Sequence, residues 1–403
     1  MIPFSPPRID QEIIDEVTEV LKSGWITTGP RTKSLEKKIT DYCGNKTTVC
    51  VSSWTMGMQV LLDWWGIGEG DEVIVPAYTY CATGNVVLHN GAKLVMVDCE
   101  KNSFNLDIDQ LAQLINENTK AIIPVDIAGL PCDYTKITEI ANAKKDLFSP
   151  NNNLQKKLGR IAVFADAAHS FGAQLNGKYS GSLADITVFS FHAVKNLTTA
   201  EGGAIAFNLP DNFNHDEIYK HFCVRILHGQ SKDALAKTKK GAWRYDVEFP
   251  GFKCNMTDLQ AAIGLIEIDR YKGNLAQRKA IFEQYDALLN DENLFETPFY
   301  ENEKIKSSYH LYTLRIKNAT ELQRDKIIEK IALKDISVNV HFQPLPLLTA
   351  YKERGFNIEK FSNAFEQYKN EISLPVFYTM TEQQVEEVAR EMILITKAIM
   401  QDG

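Results

Sequence analysis

Two short apolar runs in this chain of 403 residues end in side chains that can do chemistry. The first, Val163-Phe164-Ala165-Asp166-Ala167-Ala168-His169, closes on a carboxylate. The second, Val188-Phe189-Ser190-Phe191-His192-Ala193-Val194-Lys195, closes on a hydroxyl, an imidazole and an amine. Both read as buried strands of an open α/β sheet, and in such sheets ligands collect at the carboxyl ends of the strands. An acid and a lysine at two such ends can meet across one cofactor. Pyridoxal phosphate requires that pair: its aldehyde forms an imine with a lysine, and its ring nitrogen keeps a proton beside a carboxylate. Lys195 suits the first role and Asp166 the second. Once displaced from the imine, a lysine can move a proton as general base and acid, and a partly dry site beside a cation lowers its pKa for that work. Taken singly, a lysine after a strand is a surface residue and an aspartate there a helix cap. The following Asn196-Leu197-Thr198-Thr199-Ala200-Glu201-Gly202-Gly203 favours the pair, because a polar turn with glycines lets backbone approach a ligand closely.

A phosphate and a flat ring need further partners. Ser52-Ser53-Trp54-Thr55-Met56-Gly57 follows an apolar run and opens a helix, so its amides can bind an anion and Thr55 adds a hydroxyl. Ser53 serves equally well as a simple N-cap. Ser190 offers a second hydroxyl from the lysine strand. In Pro76-Ala77-Tyr78-Thr79-Tyr80, Tyr80 can stack on a ring, with Tyr78 the competing choice and core packing open to both.

The elements that would position these residues are legible as alternating patterns. Residues 10–21 carry apolar positions at helical spacing, with Asp10 as N-cap and Gly24 as stop, and a second helix spans 32–42. Strands are expected at 48–51, 71–75, 94–97, 121–124, 161–165, 185–191 and 204–207, with helices at 56–65 and 80–90. That pattern predicts an α/β fold: a mostly parallel sheet flanked by helices. The polar stretch 144–159 reads as an insertion loop. After about residue 250 come a long helix at 255–285 broken near Gly273, a strand at 308–316, a helix at 321–333, a strand at 337–342 and a final helix from Thr381. Two domains follow: 1–250, large and cofactor-binding, and 251–403, a smaller α+β unit.

Composition removes other classes. The net charge of -8 argues against nucleic acid, and the run Lys237-Thr238-Lys239-Lys240 reads as a solvated loop. Nothing apolar is long enough to span a membrane, and the first residues carry no leader pattern, so a cytoplasmic protein without membrane insertion is expected. The seven cysteines are odd in number and lack a C-x-x-C pair, which predicts reduced thiols and no metal site.

The blocks Gly24-Trp25-Ile26-Thr27-Thr28-Gly29-Pro30, Gly70-Asp71-Glu72-Val73-Ile74, Asp166-Ala167-Ala168-His169, Ser190-Phe191-His192-Ala193-Val194-Lys195-Asn196 and Glu201-Gly202-Gly203 resemble the DegT/StrS-type sugar aminotransferases. The resemblance runs in order from about residue 3 to the C-terminus. It implies the aspartate-aminotransferase type of fold (fold type I), pyridoxal 5'-phosphate as cofactor and a homodimer with active sites at the interface. The implied reaction is amino transfer from glutamate, released as 2-oxoglutarate, to a keto sugar nucleotide. By the same resemblance Lys195 is the imine lysine and Asp166 the ring-nitrogen partner. His169 lies against the ring, Tyr80 stands over it, and Thr55, the Met56 amide and Ser190 hold the phosphate. Lys253-Cys254-Asn255-Met256-Thr257-Asp258 resembles the block whose Asn reaches the neighbouring subunit's phosphate, which singles out Asn255. Trp25, Thr27, His192, His228, His310 and His341 fall on the sugar-nucleotide side, with structural roles open for the histidines. The subgroup most similar makes 4-amino sugars, such as the 4-amino-4-deoxy-arabinose enzymes of lipopolysaccharide modification, which points to C4 of a keto-hexose and to cell-surface polysaccharide. The chain departs from it at Trp54 and Met56, in the longer loop 147–159 and in the segment His341-Phe342-Gln343-Pro344-Leu345-Pro346. Related proteins include deoxysugar dehydratases, one group of which has histidine in place of the lysine, and regulators without catalysis. Lys195 favours amino transfer over both.

Overall fold

The computed structural model describes residues 1–231, 245–290 and 293–401; the basic run 237–240 lies outside them. In chain order the first strands are β1 (Thr47–Val51), β2 (Glu72–Pro76), β3 (Lys93–Val97), β4 (Thr119–Ile122), β5 (Ala162–Asp166), β6 (Gln174–Leu175), β7 (Lys178–Tyr179), β8 (Ile186–Ser190) and β9 (Gly203–Phe207). Seven of them form one sheet in the order β1-β9-β8-β5-β4-β2-β3. Strand β9 is antiparallel to both neighbours, and every other pairing is parallel.

Strict alternation along these strands explains why helices cover both faces. Val73 and Val75 join one apolar cluster with Met58, Leu61 and Trp65 of helix Trp54–Trp65. Ile74, between them, joins the opposite cluster with Ile137 and Ala141 of helix Tyr134–Ala143. All three strand residues are fully buried, each worth roughly 1.5–3 kcal/mol of transfer free energy.

The N-terminal helix Gln11–Ser23 is capped by Asp10 and stopped by Gly24 in the left-handed region, at φ 70°. The next helix, Pro30–Cys43, starts on a borrowed cap. The Asp258 carboxylate accepts the amides of Gly29, Arg31 and Thr32 together with the Thr32 hydroxyl. This pins the Gly24–Pro30 block to the segment around Met256, whose carbonyl accepts the Thr28 hydroxyl.

The remaining strands are β10 (Phe295–Glu296), β11 (Ile305–Lys306), β12 (Tyr312–Ile316) and β13 (Glu371–Leu374). Three of them make a second sheet, β10-β12-β13, while β11 pairs with the β6–β7 hairpin. The second sheet has its own core, in which Leu314 and Ile372 meet Ile281, Phe282, Ile327 and Met392 from helices Tyr271–Leu288, Glu321–Ala332 and Glu382–Gln401.

Three expectations need correction. The stretch 144–159 is not a plain loop: Asn152 caps a short helix, Asn153–Leu158, whose buried Gln155 donates to the Trp65 carbonyl. The helix expected at 255–285 is two, Asp258–Asp269 and Tyr271–Leu288, and the break falls at Arg270 and not at Gly273. Residues 337–342 make only an isolated bridge between Asn339 and Ser373, because side chains intercept their amides: Val340 N–H donates to Asn339 Oδ1 and His341 N–H to Glu371 Oε2. All seven cysteines are free thiols, five of them buried. Among the described residues no helix is long and apolar enough to cross a membrane.

Candidate active site

Strands β5 and β8 are parallel neighbours, with Asp166 opposite Val188. Their carboxyl ends therefore deliver Asp166 and, one turn further on, Lys195 to the same place; the turn is closed by Lys195 N–H donating to the His192 carbonyl. A cavity of about 410 Å³ opens there, lined by Lys195, Asp166, Thr55, Tyr80, His169, Ser190, His192, His310 and His341. The helix Trp54–Trp65 starts at its wall, with Ser53 as N-cap. Gly203 must be glycine for that helix start to reach β9: a Cβ would lie 2.6 Å from the Phe189 carbonyl oxygen and 2.7 Å from the Trp54 nitrogen.

Asp166 is 4% exposed. Its Oδ2 accepts the Thr83 hydroxyl at 2.8 Å and its Oδ1 the Ala168 amide at 3.2 Å, and it makes no ion pair among the described residues. Burial pushes its carboxyl up to about 7, against those hydrogen bonds and the Lys195 charge. Lys195 keeps part of its surface open to the cavity, yet the surrounding protein pushes its amine down to about 8, with Asp166 opposing. A buried carboxylate short of a cation and an amine close to neutral are what a protonated pyridine ring and an aldehyde require. Thr55, in the first turn of helix Trp54–Trp65, and Ser190, at the end of β8, both line the cavity, and hydroxyls beside a helix N-terminus suit an anion. The residues present fit pyridoxal phosphate.

The lysine's state gives a direct expectation. In cofactor-free protein, acylation of Lys195 followed by peptide mapping should rise through a midpoint near pH 8 and not near the ordinary 10.5. Below the midpoint the amine is an unreactive ammonium. Asp166→Asn should move the midpoint lower still, because it removes the charge that favours the ammonium. A wild-type midpoint at the ordinary value would contradict the buried setting.

His169, His310 and His341 form one wall. His169 Nδ1 accepts the Ala128 amide, and its ring lies 4.5 Å from that of His310 and 5.7 Å from that of Phe342. His310 Nδ1 is 2.8 Å from Asn196 Oδ1, and Arg278 fixes the His310 carbonyl from below. Burial drives His169 and His310 well below their ordinary range, so both are neutral imidazoles at pH 7. His192 pairs with Glu201 at the rim.

The two tyrosines separate cleanly. Tyr78 is fully buried and donates to the His341 carbonyl, whereas Tyr80 is 57% exposed and lines the cavity. Other named residues stand elsewhere. The Met56 amide is held by Ser53 Oγ, and the Met56 side chain packs into the core. Asn255 donates to Thr28 Oγ1, which groups it with Trp25 and Thr27 outside the cavity. His228 is exposed, at φ 61°, in the turn after helix His215–Arg225. Thr83, Asn196, Phe4 and Phe342 were not anticipated. Asn196 alone carried a local signal, as the polar residue directly after the lysine.

Comparison with known proteins sets this geometry in a family. The DegT/DnrJ/EryC1/StrS aminotransferase family model matches residues 7–393. The spore coat polysaccharide biosynthesis protein SpsC of Bacillus subtilis is 35% identical over 98% of this chain and 97% of its own. The candidate sugar aminotransferase Spr1654 of Streptococcus pneumoniae, solved in a PMP form, superposes with a TM-score of 0.96 at 43% identity, covering 99% of this chain and all of that one. Helicobacter pylori PseC, an aminotransferase involved in pseudoaminic acid biosynthesis, gives 0.86 at 26% identity over 98% and 99%. The chain belongs to the DegT/DnrJ/EryC1/StrS aminotransferases, which depend on pyridoxal phosphate.

Proposed function

We propose that this protein transfers an amino group from glutamate to C4 of a keto-hexose carried on a nucleotide, for cell-surface polysaccharide. The observation that carries the proposal is the meeting of Lys195 and Asp166 in one cavity, at the ends of adjacent strands and beside a helix N-terminus. The role of SpsC in polysaccharide biosynthesis supports the pathway, and PseC supports an amino-sugar product.

In this reading Asp166 would hold the ring nitrogen with its proton, and Thr55 and Ser190 would hold the phosphate. Tyr80 and His169 would flank the ring. When bound, pyridoxal phosphate supplies the electron sink that makes the carbon beside nitrogen acidic. Lys195 Nζ then takes the proton from the donor's α-carbon and returns one in the second half-reaction; an amine near neutrality suits both directions. The His169, His310 and His341 wall keeps water from that proton. Asn255, Trp25 and Thr27, grouped on the outer surface, fit a second copy completing the site, as a homodimer with a large domain at 1–250 and a small one at 251–403.

The purified protein with cofactor should show a visible absorption band that glutamate bleaches. A panel of UDP-, GDP- and dTDP-linked 3-keto and 4-keto sugars should contain one that restores it. A band that no amino donor bleaches would remove amino transfer, and recovery only with 3-keto sugars would remove C4.

A further inference from the structure

Glu371 is fully buried in β13, on the second sheet, and the proposed amino transfer assigns it no role. Its Oε2 accepts the His341 amide at 3.0 Å, and its Oε1 lies 2.5 Å from Ser373 Oγ. The same Ser373 Oγ is 2.9 Å from His341 Nδ1. Carboxyl, hydroxyl and imidazole thus form one unbroken line of hydrogen bonds. It ends at the cavity, which His341 lines, and His341 Nε2 has no protein partner among the described residues.

Two proton arrangements satisfy these bonds. With Glu371 ionised, Ser373 donates to it, His341 Nδ1–H donates to Ser373, and Nε2 offers a lone pair to the cavity. With Glu371 protonated, its O–H donates to Ser373, Ser373 donates to Nδ1, and Nε2 carries the hydrogen. We propose that Glu371, Ser373 and His341 are a proton relay that opens on the cavity at His341 Nε2 and stores one proton on Glu371. The inference rests on the amino-transfer reading for the source of that proton and is independent of which sugar is the acceptor.

An amino donor arrives as an ammonium, and its nitrogen attacks only after losing a proton. The relay takes that proton at Nε2, passes the Nδ1 hydrogen to Ser373 Oγ and passes the serine's own hydrogen to Glu371 Oε1. The nitrogen gains its lone pair, the carboxylate becomes a carboxylic acid, and no other bond changes. When the amine product leaves as an ammonium, the proton returns by the same path. The surroundings suit a store. Burial pushes Glu371 up to about 8, against the Ser373 and His341 hydrogen bonds and the Arg324 charge. Burial and the Lys195 charge push His341 down to about 3, so the imidazolium is only a passing state. The other ionisable neighbours are the neutral His169 and His310 across the cavity, and Tyr78, whose hydroxyl holds the His341 carbonyl. Arg324 donates to the Tyr368 and Glu371 carbonyls and is tied to Asp325 and Glu321.

The test is nitrogen NMR of the cofactor-loaded protein labelled with ¹⁵N-histidine, with His341→Gln identifying the resonance. Wild-type His341 should pass from the Nε2–H form to the Nδ1–H form as pH rises through about 8, without an imidazolium signal. In Glu371→Gln the amide oxygen still accepts the His341 N–H while its NH₂ donates to Ser373. The ring should therefore be locked in the Nε2–H form at every pH. A wild-type tautomer that ignores pH, or one that ignores Glu371→Gln, overturns the relay. In rapid mixing with glutamate, Glu371→Gln should slow bleaching of the band by about 10²-fold. Unchanged bleaching overturns the relay as well. A wild type that never bleaches fails the amino-transfer reading instead, and the tautomer result distinguishes the two failures.

Discussion

Lys195→Ala is expected to abolish amino transfer, by about 10⁴-fold or more, and to remove the visible band of lysine-bound cofactor while leaving a folded protein. The loss is large because in the proposed reaction one atom, Nζ, serves twice: as the anchor of the cofactor and as the carrier of the α-proton. The fold should survive because the Lys195 amine makes no hydrogen bond to protein among the described residues; only its backbone amide does, to the His192 carbonyl. Truncation also relieves a desolvated amine, so the melting temperature of the cofactor-free variant should equal or exceed that of wild type. A small primary amine added to the solution should restore part of the α-proton transfer, since it can occupy the vacated space as a general base. Two results would refute the assignment. Wild-type turnover in the variant would give the role to another residue, and an unfolded variant would make Lys195 structural.

The Lys195–Asp166 pair was legible in sequence because each stands at the end of an apolar run, and two parallel strands next to each other deliver their ends to one spot. The turn at Ser53 was legible for the same reason, as a strand followed by a helix N-terminus. What could not be read is contact between distant segments. Thr83 reaches Asp166 from helix Cys81–His89 across 83 positions, and His310 reaches Asn196 across 114. Nothing in either local sequence marks these pairs, since threonine in a helix and asparagine in a loop have many other uses. The segment 337–342 failed for a related reason. Its β-branched, alternating residues read as a strand, but the Asn339 and Glu371 side chains took its amides before a neighbouring strand could. Those captures place His341 at the cavity wall. The Asn152 cap and buried Gln155 were visible as letters, yet a polar run is normally solvated, and only the Trp65 carbonyl explains why this one folds inward.

Asp166→Asn is expected to have opposite effects on stability and on turnover. Asparagine fits the site: its oxygen can keep the Ala168 amide, and its NH₂ can donate to Thr83 Oγ1. The Thr83 hydroxyl can then turn to Thr79 Oγ1, 2.9 Å away. The ionised carboxylate is what strains the cofactor-free protein. Its folded pKa, near 7, lies above the unfolded 3.8, so the folded state binds more protons between those values. Stability contributed by this group is therefore present below about pH 4 and is lost as pH rises to about 7, by up to about 4 kcal/mol. Cofactor-free Asp166→Asn should match wild type near pH 4 and exceed it at pH 8, as measured by urea unfolding. Turnover should fall by about 10³-fold, because no charge then holds the proton on the ring nitrogen as electrons arrive. Added cofactor should raise the melting temperature of wild type more than that of the variant, since wild type alone gains a cation beside its carboxylate. A carboxylate that merely capped the turn after β5 would lose stability at every pH on this substitution and leave turnover nearly intact. The paired signs, gain without cofactor and loss with it, are what a group built to meet a cation must give.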